Sequence, residues 1–225
     1  MFQPAERIRR EFDLIAPSSG DEWSHNSHYH PYLLRQLPPR LESALDVGCG
    51  IGTFSRLLAA RADRVVGLDL SPEMIRCARE RAAAFLNIDY QVADVLETDL
   101  PSAAFDCIAS IATLHHMALE PVLMKLKAAL KPGGTLLILD LYQGEGISDL
   151  PYRALGIPVH HLLRVLRGHQ TLPQSAAAQQ AWQEHGAGDV YSRVSEVRQI
   201  AAAHFPGAQV RKHVLWRYSL VWHKP

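Results

Sequence analysis

The chain has 225 residues, 48% of them in the hydrophobic class, and balances 23 basic against 23 acidic side chains for a formal net charge of zero. That supports one full-sized core and argues against a polyanion partner, although a local basic patch can hide inside a balanced total. Cys49, Cys77 and Cys107 lie far apart, so neither a disulfide framework nor a structural zinc site is indicated. No run approaches the roughly 18 apolar residues that cross a bilayer. Met1–Arg10 is charged where a secretory leader is apolar. A reduced, cytoplasmic protein with no membrane association is expected.

Residues 1–40 read as a helical arm ending in Pro38-Pro39. From Leu41 onward, short apolar runs alternate with helical patterns, the signature of a parallel sheet with crossover helices. Ser43–Val47 is a first strand, followed by Gly48-Cys49-Gly50-Ile51-Gly52 and a helix over Thr53–Arg61. Arg64–Leu68 is a second strand; Ser71 then caps a helix whose first position is Pro72, a residue tolerated in the first turn. Asp89–Val92 and Phe105–Ile111 are the third and fourth strands, and Pro121–Leu130 is a helix. Lys131-Pro132-Gly133-Gly134 makes a turn before a fifth strand, Thr135–Leu141, largely apolar as a buried parallel strand is. Beyond Asp140 the rhythm changes. Pro151–Leu166 and Ser175–His185 are helical, joined through Gly168 and Pro173, and a last helix begins near Ser192. Gln209–Leu215 and Tyr218–His223 form an antiparallel finish.

The chemistry concentrates at the strand ends. A strand that ends in a glycine-rich turn and opens a helix is a nucleotide-ligand site, because glycine permits the tight turn and lets the ligand approach backbone N–H groups. The spacing G-x-G-x-G differs from the dinucleotide fingerprint G-x-G-x-x-G. Asp46 just before it repels a pyrophosphate but suits a ligand carrying a positive amino group, which disfavours a nicotinamide-dependent reductase. Asp69 ends the second strand and can accept both hydroxyl hydrogens of a ribose. Asp94, after the third strand, is placed to meet an adenine amino group. These carboxylates share the rim where open α/β sheets bind ligands.

Residues 41–141 resemble a class I S-adenosylmethionine-dependent methyltransferase, of the small-molecule branch that includes the quinone-biosynthesis enzymes. The resemblance runs through Leu45–Gly52, Gly67-Leu68-Asp69-Leu70-Ser71-Pro72-Glu73-Met74, Asp94, Phe105-Asp106, Leu114-His115-His116 and Leu130-Lys131-Pro132-Gly133-Gly134. It implies a doubly wound, Rossmann-like seven-stranded sheet, mostly parallel with an antiparallel C-terminal strand. One methyltransferase domain is expected: arm 1–40, cofactor-binding core 41–141, helical lid insertion 142–190, and last helix and strands 191–225. It implies S-adenosyl-L-methionine as cofactor, with Asp46, Gly48, Cys49, Gly50 and Gly52 around the methionine end and Asp69 on the ribose. Leu70 and Met74 would pack on the adenine, Ala93, Asp94 and Val95 would cap it, and Ser110 would begin the 110–116 loop flooring the site. Glu22–Leu34 is similar to the pre-sheet helix that closes over the cofactor in such enzymes.

A sulfonium methyl is already electrophilic, so catalysis is chiefly the positioning of a nucleophile. An alcohol or phenol acceptor also has to lose a proton, and histidine is suited to take it near neutral pH. His115 and His116, after the fourth strand, are the catalytic candidates, against a reading in which they only shape the loop. Tyr29, His30 and His160 are candidate substrate contacts; Trp182, Tyr152 and Tyr191 either stack on an aromatic acceptor or pack within the lid. His25, His28 and His30 carry no completing Cys or Glu, and methyl transfer needs no metal, so none is expected. The expected partner is a small-molecule acceptor, with no nucleic acid, and the chain a monomer or homodimer. Base-amine enzymes of this fold carry an Asn/Asp-Pro-Pro-aromatic run after the fourth strand; here that place reads Ser110-Ile111-Ala112-Thr113-Leu114. A macromolecular acceptor and a non-catalytic binding module remain the alternatives.

Overall fold

A computed structural model describes residues 3–166 and 175–225; the joining residues Gly168 and Pro173 lie outside them. Among the described residues, seven strands form one sheet: β1 Leu41–Val47, β2 Ala62–Asp69, β3 Ile88–Val92, β4 Phe105–Ile111, β5 Leu130–Leu141, β6 Gln209–His213 and β7 Arg217–His223. Their order is β3-β2-β1-β4-β5-β7-β6. β1 to β5 pair in parallel, while β7 runs antiparallel to both β5 and β6. The helices are α1 Ala5–Ile15, α2 His30–Leu34, α3 Thr53–Ala59, α4 Pro72–Arg81, α5 Leu119–Ala129, α6 Leu150–Leu166, α7 Ala176–Gly188 and α8 Val194–His204.

Strand side chains alternate between faces, and the two faces carry separate cores. Leu45 and Val47 of β1, Leu136 and Ile138 of β5, and Trp222 of β7 pack with Leu123 and Leu126 of α5 and Val197 of α8. Ala44, Leu137, Leu139 and Val221 point the other way, onto Phe54 and Leu58 of α3 and Leu33 of α2. β5 lies between two strands and is covered on both sides, which accounts for its unbroken apolar run Leu136–Leu139. Burying each such leucine contributes roughly 1.5–3 kcal/mol. α1 lies across α7 and α4, so the N-terminal helix meets a helix from the segment after β5 outside the sheet.

β4 spans the residues expected of it, while β1 and β2 start two residues earlier, where Leu41 and Ala62 are already buried and paired with each other. The expected turn at Lys131–Gly134 is an irregularity inside β5: pairing with β4 shifts between Phe105–Leu130 and Cys107–Thr135. Gly133, at φ +78°, and Gly134 bond the backbone of Lys224 there. Pro158 sits within α6 without ending it.

Two expectations are corrected. The helix read across 22–34 begins only at His30. Ser24 and Ser27 bond each other's backbone N–H upstream, which competes with helix, and Pro31, lacking an N–H, fits only the first turn. The first tail strand ends at His213 rather than Leu215, because Leu215 and Trp216 turn the hairpin at φ 62° and 57°, with no glycine or asparagine to signal it.

Candidate active site

The carboxyl ends of β1, β2 and β3 lie side by side, since Val47 pairs with Leu68 and Asp69 with Val92. They open on a cavity of about 710 Å³ reaching from the glycine turn to α1, α7 and the start of β7. In the turn Gly48 and Gly50 stand at φ 68° and 53°. A Cβ on Gly48 would lie 2.1 Å from Thr113 Oγ1, whereas one on Gly50 would meet nothing within 4 Å. The backbone at Gly50 therefore faces open space, as a ligand-cradling loop must.

Asp69 ties this loop to β2. Its Oδ2 accepts from Gly50 N at 2.8 Å and its Oδ1 from Ser71 N at 2.9 Å. Burial pushes its pKa up to about 6, against those same bonds. Asp46 is fully buried, accepts from Ser55 Oγ at 2.6 Å, and is pushed up to about 7, chiefly by burial and also by the charge of Asp69. Asp94 accepts from Leu96 N at 2.8 Å and lines the same cavity, together with Leu70, Met74, Ala93 and Val95. Of the expected cofactor set, Gly52 and Ser110 are outside the lining. Gly52 is the N-cap of α3, where a Cβ would lie 2.2 Å from Tyr90 Oη. Ser110 Oγ donates to Val47 O at 3.0 Å within the sheet, leaving Ile111, Ala112 and Thr113 as the floor.

His115 and His116 line the same cavity from a 3-10 turn, Leu114–His116, after β4. Asp140, at the end of β5, is almost completely buried. Its Oδ1 lies 2.7 Å from His115 Nδ1 and its Oδ2 accepts from His115 N at 3.0 Å. The imidazole is thereby oriented with Nε2 turned to Asp189, whose Oδ2 is 3.7 Å away and accepts from Tyr191 Oη at 2.9 Å. The ring of His116 packs 3.9 Å from that of His115, and burial pushes its pKa down to about 2. His185 of α7 sets Nδ1 2.9 Å from Glu11 Oε2 of α1. Arg217 opens β7 and lines the cavity; its guanidinium donates to Asn26 Oδ1 at 2.6 Å and to the carbonyls of Leu215 and Trp216.

His30 lines the cavity, its pKa pushed down by burial to about 4. Tyr29 and His160 do not. The hydroxyl of Tyr29 donates to Val214 O, and His160 Nδ1 lies 2.8 Å from His25 Nε2. Trp182 and Tyr191 reach the cavity; Tyr152 is not among its lining residues. Sequence reasoning missed Asp140, His185, Asp189, Arg217 and the α1 side chains Ile8 and Phe12. Asp140 was findable: it ends a strand on the same rim as the three acids that were recognised.

Residues 44–134 match the family model of the methyltransferase domain. An uncharacterized methyltransferase of Mycobacterium bovis is 29% identical over 207 residues, covering 90% of this chain and 98% of that one. A 2-methyl-6-phytyl-1,4-hydroquinone methyltransferase of Synechocystis is 36% identical over 114 residues, 50% of this chain and 36% of that one. The N-methyltransferase NodS of Bradyrhizobium japonicum, solved with S-adenosyl-L-homocysteine, superimposes with TM-score 0.64 at 16% identity over 98% of both chains. Residues 44–134 therefore carry a methyltransferase domain, and the sheet order and glycine turn are those of the class I S-adenosylmethionine-dependent methyltransferase fold. S-adenosyl-L-methionine is its cofactor. Among the described residues no helix is long and apolar enough to cross a membrane.

Proposed function

We propose that the protein moves the methyl group of S-adenosylmethionine onto an oxygen of a small-molecule acceptor, with His115 taking the acceptor's proton. The observation that carries this is His115, held by Asp140 and lining the same cavity as the glycine turn and the rim acids. When bound, the cofactor supplies a methyl group on a positive sulfonium. Asp46 and the Gly48–Gly50 backbone hold its amino-acid end, where a buried carboxylate gains a cationic partner. Asp69 has lone pairs left beyond its two backbone bonds for the ribose hydroxyls. Leu70 and Met74 pack on the adenine, and Asp94 and Val95 cap it.

Asp140 fixes the tautomer of His115 that leaves Nε2 free to accept a proton. His116, at a pKa of about 2, is a poor proton acceptor and shapes the loop instead. His30 and Tyr191 border the acceptor space, and the buried cation of Arg217, whose hydrogen bonds go to neutral groups, favours an acceptor bearing an anionic group. The named acceptor of the Synechocystis relative, a hydroquinone, supports the small-molecule reading and the quinone branch.

Calorimetric titration with S-adenosylhomocysteine and with a nicotinamide dinucleotide tests the cofactor end. Tight dinucleotide binding without binding of the homocysteine compound would overturn it. Incubation of the protein and methyl-labelled cofactor with a metabolite pool tests the acceptor. Label in small products supports the reading; label only in protein or nucleic acid favours the macromolecular alternative.

A further inference from the structure

The acceptor end gathers more ligand-type side chains than proton transfer requires. His115 and His116 come from the turn after β4, His185 and Asp189 from α7 and its C-cap. One nitrogen or oxygen from each of the four lies within 4.8 Å of the others. Asp189 is the hub: its Oδ1 is 3.5 Å from His116 Nδ1 and 3.7 Å from His185 Nε2, and its Oδ2 is 3.7 Å from His115 Nε2. These gaps are too wide for hydrogen bonds. Four ligands held tetrahedrally about 2.0–2.1 Å from zinc, however, stand roughly 3.4 Å apart. The gaps from Asp189 are within a few tenths of an ångström of that spacing, and the widest pair of the four, at up to 4.8 Å, has to close by about 1.4 Å to complete the shell.

We propose that His115, His116, His185 and Asp189 bind one divalent transition-metal ion, zinc by preference, which clasps the lid helix α7 to the core. The outer nitrogens of two of the three imidazoles support this independently, while that of His116, Nε2, is buried without a hydrogen-bond partner among the described residues. His115 Nδ1 rests on Asp140 Oδ1 at 2.7 Å and His185 Nδ1 on Glu11 Oε2 at 2.9 Å. Metal-binding imidazoles characteristically donate their second N–H to a carboxylate, which bares the ligating lone pair. Asp189 Oδ1 is buried and has no hydrogen-bond partner among the described residues, a carboxylate oxygen left for a cation. A proton shared between Asp189 and one imidazole would draw that pair to about 2.7–3.2 Å, and all three gaps are wider. Three imidazoles and one carboxylate favour zinc and its neighbours over magnesium or calcium, which take oxygen shells.

Two ligands come from each side, so the ion holds the lid shut. It also occupies His115 Nε2, the atom assigned above to accept the acceptor's proton, so the loaded protein is the closed, resting form. Only this consequence rests on the proposed methyl transfer; the metal site stands on its own geometry.

The test uses the whole chain, stripped with a chelator and then titrated with Zn²⁺ or Co²⁺ alone. One ion per chain is expected, with the intense visible bands of tetrahedral Co²⁺ and a higher Tm on zinc addition. His185→Ala and Asp189→Ala should each weaken zinc by at least a hundredfold, while S-adenosylhomocysteine affinity stays within threefold. Glu11→Gln leaves all four ligands in place and should weaken zinc ten- to a hundredfold, which covers the case of an Ala variant that does not fold. No ion bound at micromolar metal, with the homocysteine compound still bound, overturns the inference and leaves the cofactor reading intact. Undiminished metal binding by the folded variants places the ion elsewhere and overturns it too. Metal binding without cofactor-product binding would overturn the cofactor reading alone.

Discussion

Asp69→Asn separates the cofactor reading from a purely structural role for the rim acids. The carboxylate accepts from Gly50 N and Ser71 N, one bond on each oxygen, and in the proposed complex from two ribose hydroxyls as well. Asparagine keeps one acceptor oxygen and sets an NH2 group against one of those backbone donors, so it cannot reproduce the arrangement in either orientation. A hydrogen bond to a charged acceptor contributes about 1.5–3 kcal/mol. Losing one of the two ribose bonds therefore raises the dissociation constant roughly ten- to a hundredfold, at 1.4 kcal/mol per factor of ten. Titration calorimetry with S-adenosylhomocysteine at pH 7.5, paired with a thermal melt, reads this directly. An affinity within threefold of the parent, on a variant that melts at the parent temperature, would refute the placement of Asp69 on the ribose.

The raised pKa of Asp46, about 7, gives two signs to check. A carboxylate raised by folding contributes stability that is fully present below its ordinary value near 4 and lost as pH rises through about 7, so ligand-free protein should lose that contribution across this window. The amino group of the ligand favours the ionised form, so S-adenosylhomocysteine should bind about tenfold tighter at pH 8 than at pH 6; a flat profile, or one that survives in Asp46→Asn, counts against the pairing. Asp140→Asn in metal-stripped protein should cut transfer of labelled methyl by about 10²–10⁴ while leaving S-adenosylhomocysteine affinity unchanged; a drop in both would mean a structural role. Gly52→Ala forces φ 75° on a residue with a Cβ, 2.2 Å from Tyr90 Oη, and should cost at least about 2 kcal/mol in urea denaturation. A variant as stable as the parent would mean that Tyr90 swings aside freely.

How far the sequence carried depends on the range of the interactions. The β1 turn and the Ser71–Pro72 start of α4 were legible because each is specified within a few residues: Ser71 Oγ does accept from Met74 N, at 3.0 Å. Asp46, Asp69 and Asp94 were placed correctly on the rim because a parallel sheet aligns strand ends. The acceptor end was not readable, since its groups come from 12–30, 114–116, 140, 182–191 and 217, and no local pattern says that these segments meet. His185 and Asp189 are four apart, a spacing that shares one helix face, yet nothing local aims that face at His115. Tyr29 and His160 were expected at the acceptor, and tertiary packing turns them toward Val214 and His25 instead.

The meeting of α1 and α7 bears on the tempo of the reaction. Phe12 of α1 lies edge-on to Trp182 and His185, with Glu11 bonded to His185, and Ile8 and Phe12 form part of the cavity wall. Parting this seam, which forms one side of the cavity wall, breaks an apolar contact and a buried histidine–carboxylate pair together. Where that parting admits reactants and releases the spent cofactor, turnover is paced by a door rather than by chemistry. Solvent viscosity should slow steady-state turnover while leaving the first, pre-loaded transfer untouched.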